Sequence, residues 1–268
     1  MSAFGHTSTA SEAMTSPETE AQPRRQDTTA REERAHRILD TAAELILRWG
    51  YDKTTIDDIA RSAGVAKGTI YLHWKSREAL FAALLRRDRV AMLEEVRHAL
   101  VSEPDGATPR ALFRHLALAL MGRPLVKAAL LGDTEVLGKL IRLKPKVQTS
   151  AALRSLSGGY LRTLRDHEAI RTDLSPVEQA NVINATLYGF FVITPQMPDD
   201  HRLTDERLAE LLAETLHRAL DSGRTLSPEQ TQAIARATLA FLDETLGLAK
   251  ERLRLSLSTT DLGKDYAR

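Results

Sequence analysis

The sequence predicts an all-α protein, with an N-terminal three-helix unit followed by a larger helical domain. Three observations lead there. From Ile38 onward apolar residues recur three and four apart, the period of a helix that buries one face. Three hydroxyl–proline pairs, Thr108-Pro109, Ser175-Pro176 and Ser227-Pro228, spell helix starts, because the hydroxyl caps orphan N–H groups and proline suits the first helical position. No convincing strand pattern appears anywhere in the chain.

Residues 1–28 are rich in Ser, Thr, Ala, Glu and Pro and are predicted to be a disordered leader. The first helix begins near Arg31; Ile38, Ala42, Leu45, Ile46 and Trp49 form its apolar face, and Gly50 stops it. In "TTIDDIARSAG", Thr55 and Asp58 have the spacing of a capped helix start, and Ile56, Ile59, Ala60 and Ala63 give a short apolar face. Gly64 suits a tight left-handed turn. In the next helix Val65, Ile70 and Trp74 are the anchors, which leaves Lys67, Gly68, Thr69, Tyr71 and His73 to point elsewhere.

Two short helices joined by a glycine turn and preceded by a longer amphipathic helix make a helix-turn-helix. Such a unit suits DNA, whose major groove, about 12 Å wide, admits one helix while its partner braces on the backbone. Gly68 would let the backbone approach closely, Thr69 and Tyr71 offer hydroxyls, and Lys67, Lys75 and Arg77 offer cations near the next helix start at Ser76. The same pattern also suits a purely structural corner, and from spacing alone both readings stand. Charge leans weakly towards nucleic acid. Residues 24–89 hold 14 Lys and Arg against 10 Asp and Glu, whereas residues 90–268 hold 23 of each, in a chain of net charge +1.

The run "ILDTAAELILRWGYDKTTIDDIARSAGVAKGTIYLHWKSREALFAALL" closely resembles the N-terminal DNA-binding domain of the TetR family of bacterial transcriptional regulators. The resemblance implies a homodimer that binds a palindromic double-stranded operator, usually as a repressor released by a small-molecule effector held in a helical C-terminal domain. It places Thr55 at the second helix near phosphate, Lys67, Gly68, Thr69, Tyr71, Leu72 and His73 on the recognition helix, and Lys75 and Arg77 at phosphate. Three positions depart from the family's pattern. Ala66 stands where a capping serine is frequent, Leu72 replaces a frequent polar or aromatic residue, and Trp74 replaces the usual phenylalanine. Ala66 has no oxygen with which to cap. Leu72 suggests an apolar contact such as a thymine methyl.

The domains expected are the leader 1–28, the DNA-binding unit 29–76, a helical ligand-binding and dimerisation domain 77–256, and a tail 257–268. A long helix runs from Ser76 to about residue 100, and further helices are expected near 109–121, 124–132, 134–143, 148–168, 176–193, 204–221 and 228–256. Glu178 and Gln230 complete capping boxes. The resemblance implies dimerisation through the helices at 176–193 and 204–221, the latter with Leu208, Leu211, Leu212 and Leu216; an intramolecular core is the alternative. The helix at 228–256 exceeds the family's common plan. Candidate effector contacts are Phe113, Leu116, Leu120, Met121, Tyr160, Asn184, Tyr188 and Phe191, of which Asn184, Tyr188 and Phe191 share a helical face. Ordinary packing is the alternative for each.

Other classes find little support. There is no cysteine, no phosphate-binding glycine loop, no H-E-x-x-H and no nucleophile elbow, so no enzyme, cofactor or thiolate metal site is expected. His115, His167 and His201 lack metal-ligand spacing. No apolar run approaches the roughly 20 residues that span a bilayer, so no membrane partner is expected and the expected location is the cytoplasm, at the nucleoid. A DNA-organising or adaptor protein on the same fold is the alternative function.

Overall fold

The computed structural model describes residues 21–103, 106–138 and 151–257. The expected leader up to residue 20, the helix residues 139–143 and 148–150, and the tail from 258 lie outside the described residues.

Helix α1 (Ala21–Trp49) buries Ala35, Ile38, Leu39, Ala42, Leu45 and Ile46, one stripe of a helical surface. It extends back to Ala21, so residues 21–28 of the expected leader are helical. Strong helix formers dominate these turns, and Pro23 falls in the first turn, where the missing N–H costs nothing. Trp49, expected on the buried stripe, is 41% exposed. The helix ends at Trp49 and Gly50, at φ 78, turns the chain inward, so Tyr51 fills the interior instead.

Helix α2 (Ile56–Ser62) starts with the expected capping box: Thr55 Oγ1 accepts from Asp58 N–H at 3.2 Å, and Asp58 Oδ2 accepts from Thr55 N–H at 3.2 Å. Gly64, at φ 65, turns the chain into α3 (Lys67–His73), whose Ala66 makes no side-chain cap. Ser76 caps α4 (Arg77–Val101) by accepting from Ala79 N–H at 3.1 Å.

The larger part adds α5 (Pro109–Met121), α6 (Pro124–Leu131), α7 (Thr134–Leu137), α8 (Ala151–Asp166), α9 (Pro176–Ile193), α10 (Asp205–Leu220) and α11 (Pro228–Leu257). Thr108 caps α5, Ser175 with Glu178 makes a full box on α9, and Ser227 with Gln230 makes one on α11. The described residues hold no strand; Ile170 and Asp221 form an isolated antiparallel bridge.

Two hydrophobic cores organise these helices, and α4 serves both. Its first half, Leu80 to Leu85, joins α1, α2 and α3 in the head, together with Leu125 and Ala128 of α6 and Leu137 of α7. Its second half, Val90 to Leu100, joins α5, α8, α9, α10 and α11 in the larger core. The head's core therefore runs past residue 76 and takes in pieces of the larger domain. Helix α11 lies antiparallel along α4. Asp243 pairs with Arg97, Lys250 with Glu94, and Ser256 accepts from Arg86, so rising numbers on one helix meet falling numbers on the other.

Helix α10 turns most of its expected leucines into the protomer. Leu208, Leu212 and Leu216 are buried within the protomer, where α10 packs along α5, and Leu211 alone of the four expected leucines is half-buried. Helix α9 differs: it fully buries only Gln179 and Phe191, while Val177, Tyr188 and Ile193 are exposed.

Candidate nucleic-acid interface

The short helix α3 is held by one face and shows the other. Ile70 and Trp74 are buried in the head, and Val65 is half-buried against the same core. On the outer side Lys67, Gly68, Tyr71, Leu72 and Lys75 are exposed and Thr69 is half-buried. Leu72, at 67% exposure, is the most exposed large apolar residue of the head. Thr55 is exposed at the start of α2, with its hydroxyl engaged in the capping box. The Thr55 hydroxyl and N–H hold the Asp58 carboxyl below the usual carboxylate range.

Gly68 is informative. It sits inside a helix, where glycine costs stability relative to alanine. A Cβ added there meets nothing within 4 Å. The chain's own packing does not require this glycine.

Two expected contact residues turn inward. His73 is only 6% exposed, because it stands three residues after Ile70 and so shares its buried face. Burial, then the nearby Arg31 and Arg34, hold its imidazole below the ordinary value. Arg77 folds back on the head. Its guanidinium donates to Thr54 O at 3.1 Å and Tyr51 O at 3.5 Å and lies 4.2 Å from the centre of the Tyr51 ring. Tyr51 is the hub beneath: its hydroxyl donates to Glu78 Oε1 at 3.1 Å and its ring meets Phe81 edge-on. Burial pushes its phenol up to about 12, which keeps it a donor. Tyr51 N–H also donates to Val136 O at 2.9 Å, tying the head to α7.

Sequence reasoning missed two residues of this surface. Arg31 of α1 donates to Leu72 O at 3.4 Å, where a cation suits the end of a helix. Asp57 of α2 accepts from Lys67 Nζ at 2.9 Å. Both contacts join separate helices, and no local spacing announces them. Among the described residues the buried indole N–H of Trp74 meets no acceptor.

The expected effector residues do not converge. Phe113, Leu116 and Met121 are half-buried against the larger core, while Leu120 and Phe191 are buried in it. Tyr160 is buried, stacks on Phe241 with ring centres 4.8 Å apart, and its hydroxyl bonds Thr238 Oγ1 at 2.9 Å. Burial holds its phenol well above the usual value. Helix α11 thus packs directly on Tyr160. Asn184 and Tyr188 are exposed, and the volume they were expected to share with Phe191 does not form. Asn184 Nδ2 donates to Ala180 O of its own helix at 2.7 Å, and Tyr188 reaches Leu131 O at 3.4 Å. Two surface clefts, one beside Gly106 and Pro228 and one between Arg110 and Arg207, are lined by none of the expected residues. Among the described residues no helix is long and apolar enough to cross a membrane, and no group of three or more His, Cys, Asp or Glu is placed to hold a metal ion.

Comparison with known proteins places the head. Residues 38–84 match the family model for bacterial regulatory proteins of the tetR family. An uncharacterized HTH-type transcriptional regulator of Mycobacterium bovis is 28% identical over 163 residues, covering 56% of this chain and 84% of that protein. The A-factor receptor protein of Streptomyces griseus is 27% identical over 160 residues, covering 59% of this chain and 53% of that protein. A Rhodococcus protein described as a TetR-family transcriptional regulator shares the fold, with a TM-score of 0.51 and 21% identity over 71% of this chain and 100% of that one. Residues 38–84 are therefore similar to the DNA-binding domain of bacterial regulatory proteins of the tetR family.

Proposed function

We propose that the protein is a homodimeric transcriptional regulator of the cytoplasm, a repressor that binds a palindromic double-stranded operator through α3 and leaves it when a small-molecule effector binds. The observation that carries this reading is the outer side of α3, where Lys67, Tyr71 and Leu72 are exposed around a glycine that the fold itself does not need. Thr55, Lys67, Gly68, Thr69, Tyr71, Leu72 and Lys75 are the proposed DNA contacts. His73 and Arg77 act from inside, as packing and as a clasp on the turn before α2.

Dimerisation is assigned to α9 with α10 beside it; Val177, Tyr188 and Ile193 of α9 are exposed among the described residues of the protomer. The effector reading is supported by the Streptomyces griseus relative, an A-factor receptor. Phe113, Leu116, Leu120 and Met121 of α5, with Tyr160 and Phe191, belong to the packed larger core, so an apolar effector bound there would enter by repacking it. Because α4 is built into both cores, repacking of the larger one would move the heads. Half-sites lie about 34–36 Å apart on one face of the duplex, so a displacement of a few ångströms spoils simultaneous docking.

The test compares three variants on operator and random duplex. Lys75→Ala should weaken binding to both and flatten the salt dependence, since a phosphate contact carries no sequence information. Thr69→Ala and Tyr71→Ala should mainly erode the preference for operator. Equal losses on both duplexes for all three would defeat the assignment.

A further inference from the structure

The lysine that opens α3 is not an isolated cation. Its Nζ donates to Asp57 Oδ2 at 2.9 Å, across the turn that joins α2 to α3. Both side chains remain about half exposed, 50% for Lys67 and 59% for Asp57. An ion pair so open adds little to folding stability, because water screens it and two flexible side chains must be held still. Its consequence lies in how the surface meets a ligand. Lys67 is the first residue of a helix that lacks a side-chain cap, where the helix dipole disfavours a cation. The Asp57 carboxylate offsets that and fixes the ammonium at the seam of the two helices.

To a phosphate the pair offers no net charge, and the carboxylate repels it. To base edges the pair offers a donor beside an acceptor. In the major groove guanine shows O6 and N7 as acceptors and its partner cytosine shows the N4 amino group as donor. O6 and N4 stand a hydrogen bond apart across the base pair, matching the separation of Nζ and Oδ2. We propose that Asp57 is a specificity-determining residue: with Lys67 it reads a G·C pair in each half-site, and it keeps Lys67 from serving as a general phosphate contact. This rests on the DNA-binding reading given above.

The experiment selects bound sequences from a random duplex library with the full-length protein and with Asp57→Ala, Asp57→Asn and Lys67→Ala, then measures affinity for selected and random duplexes over a salt series. If the unaltered protein enriches no sequence, the DNA reading itself fails. Given an enriched inverted repeat, Asp57→Ala should lose a G·C preference at one position of each half-site, the position that Lys67→Ala also loses. It should bind random duplex about three- to tenfold more tightly, with a log–log salt slope steeper by about 0.9 per head, as expected for one more phosphate contact. Its melting temperature should fall only slightly, since an exposed acid in the first turn of α2 makes a small contribution to stability. A motif with every position retained and an operator-to-random ratio equal to the parent's would overturn the proposal. If alanine lowers the melting temperature substantially, Asp57→Asn, which keeps the side chain's size without its charge, is judged by the same random-duplex affinity and salt slope.

Discussion

At Gly68 the fold and the proposed DNA contact make different demands. A methyl group there meets nothing in the protomer, so Gly68→Ala should leave the melting temperature unchanged or raise it, by about 0.5–1 kcal/mol of stability. Operator affinity should fall by about tenfold or more if the backbone approaches the duplex closely at this point, since the added atom stands where DNA must be. Thermal unfolding and fluorescence anisotropy check the two halves, and an unchanged affinity would remove Gly68 from the interface. The rest of the site was legible in the sequence to different degrees. The capping box at Thr55 and Asp58 is local and was read correctly. His73 is expected at the surface from its polar type, but its spacing from Ile70 places it on the buried face. The inward turn of Arg77 has a different origin. Its partners are the carbonyls of Tyr51 and Thr54, more than twenty residues earlier, and no periodicity encodes a clasp of that kind.

At the scale of elements, the ends of helices were far more legible than their partners. Hydroxyl–proline pairs and capping boxes are chemical signals written within four residues, and α5, α9 and α11 begin where they appear. Docking is decided between distant residues. The bond between Tyr160 and Thr238 joins positions 78 apart, and it was invisible before α11 was seen to lie along α4 and α8. A second junction is testable by pH. Just beyond α4, Glu103 accepts from Arg114 at 2.9 Å and lies 2.6 Å from His115 Nε2, both on α5. The hydrogen bond to His115, then the charge of Arg114, hold its carboxyl below the usual range in spite of partial burial. A carboxyl with a lowered folded value contributes stability that is fully present above its ordinary value and is lost as pH falls through the folded one. Glu103→Gln should therefore be less stable than the parent at pH 7, with the gap closing below about pH 4.5. A gap that stays constant from pH 7 to pH 3 would show that the charge of Glu103 contributes nothing. Urea unfolding at several pH values reads it.

For the whole molecule, the two cores share α4, so a rearrangement of the larger core would reach the head through one helix. The all-helical class and the head were legible because amphipathic period and turn chemistry are local. The division of apolar surface between core and interface was not, because Leu208, Leu212 and Leu216 of α10 and Val177 and Ile193 of α9 look alike in sequence and differ only in what α5 covers. The exposed residues of α9 carry the assembly prediction. Val177→Glu combined with Ile193→Glu should yield a monomer by analytical ultracentrifugation with its melting temperature largely kept, since both side chains are exposed in the protomer. Affinity for a palindromic operator should fall about 10²–10⁴-fold as two linked heads become one. A dimer that survives the double substitution would move the interface elsewhere. The central claim, that the exposed side of α3 reads DNA as one of a symmetric pair, is met most directly by footprinting the full-length protein on fragments of its own genome. The account predicts protection of a discrete inverted repeat whose half-site centres lie about 34–36 Å apart or a multiple of that. Many dispersed sites without symmetry would favour a DNA organiser, and no protection at any salt concentration would contradict the account.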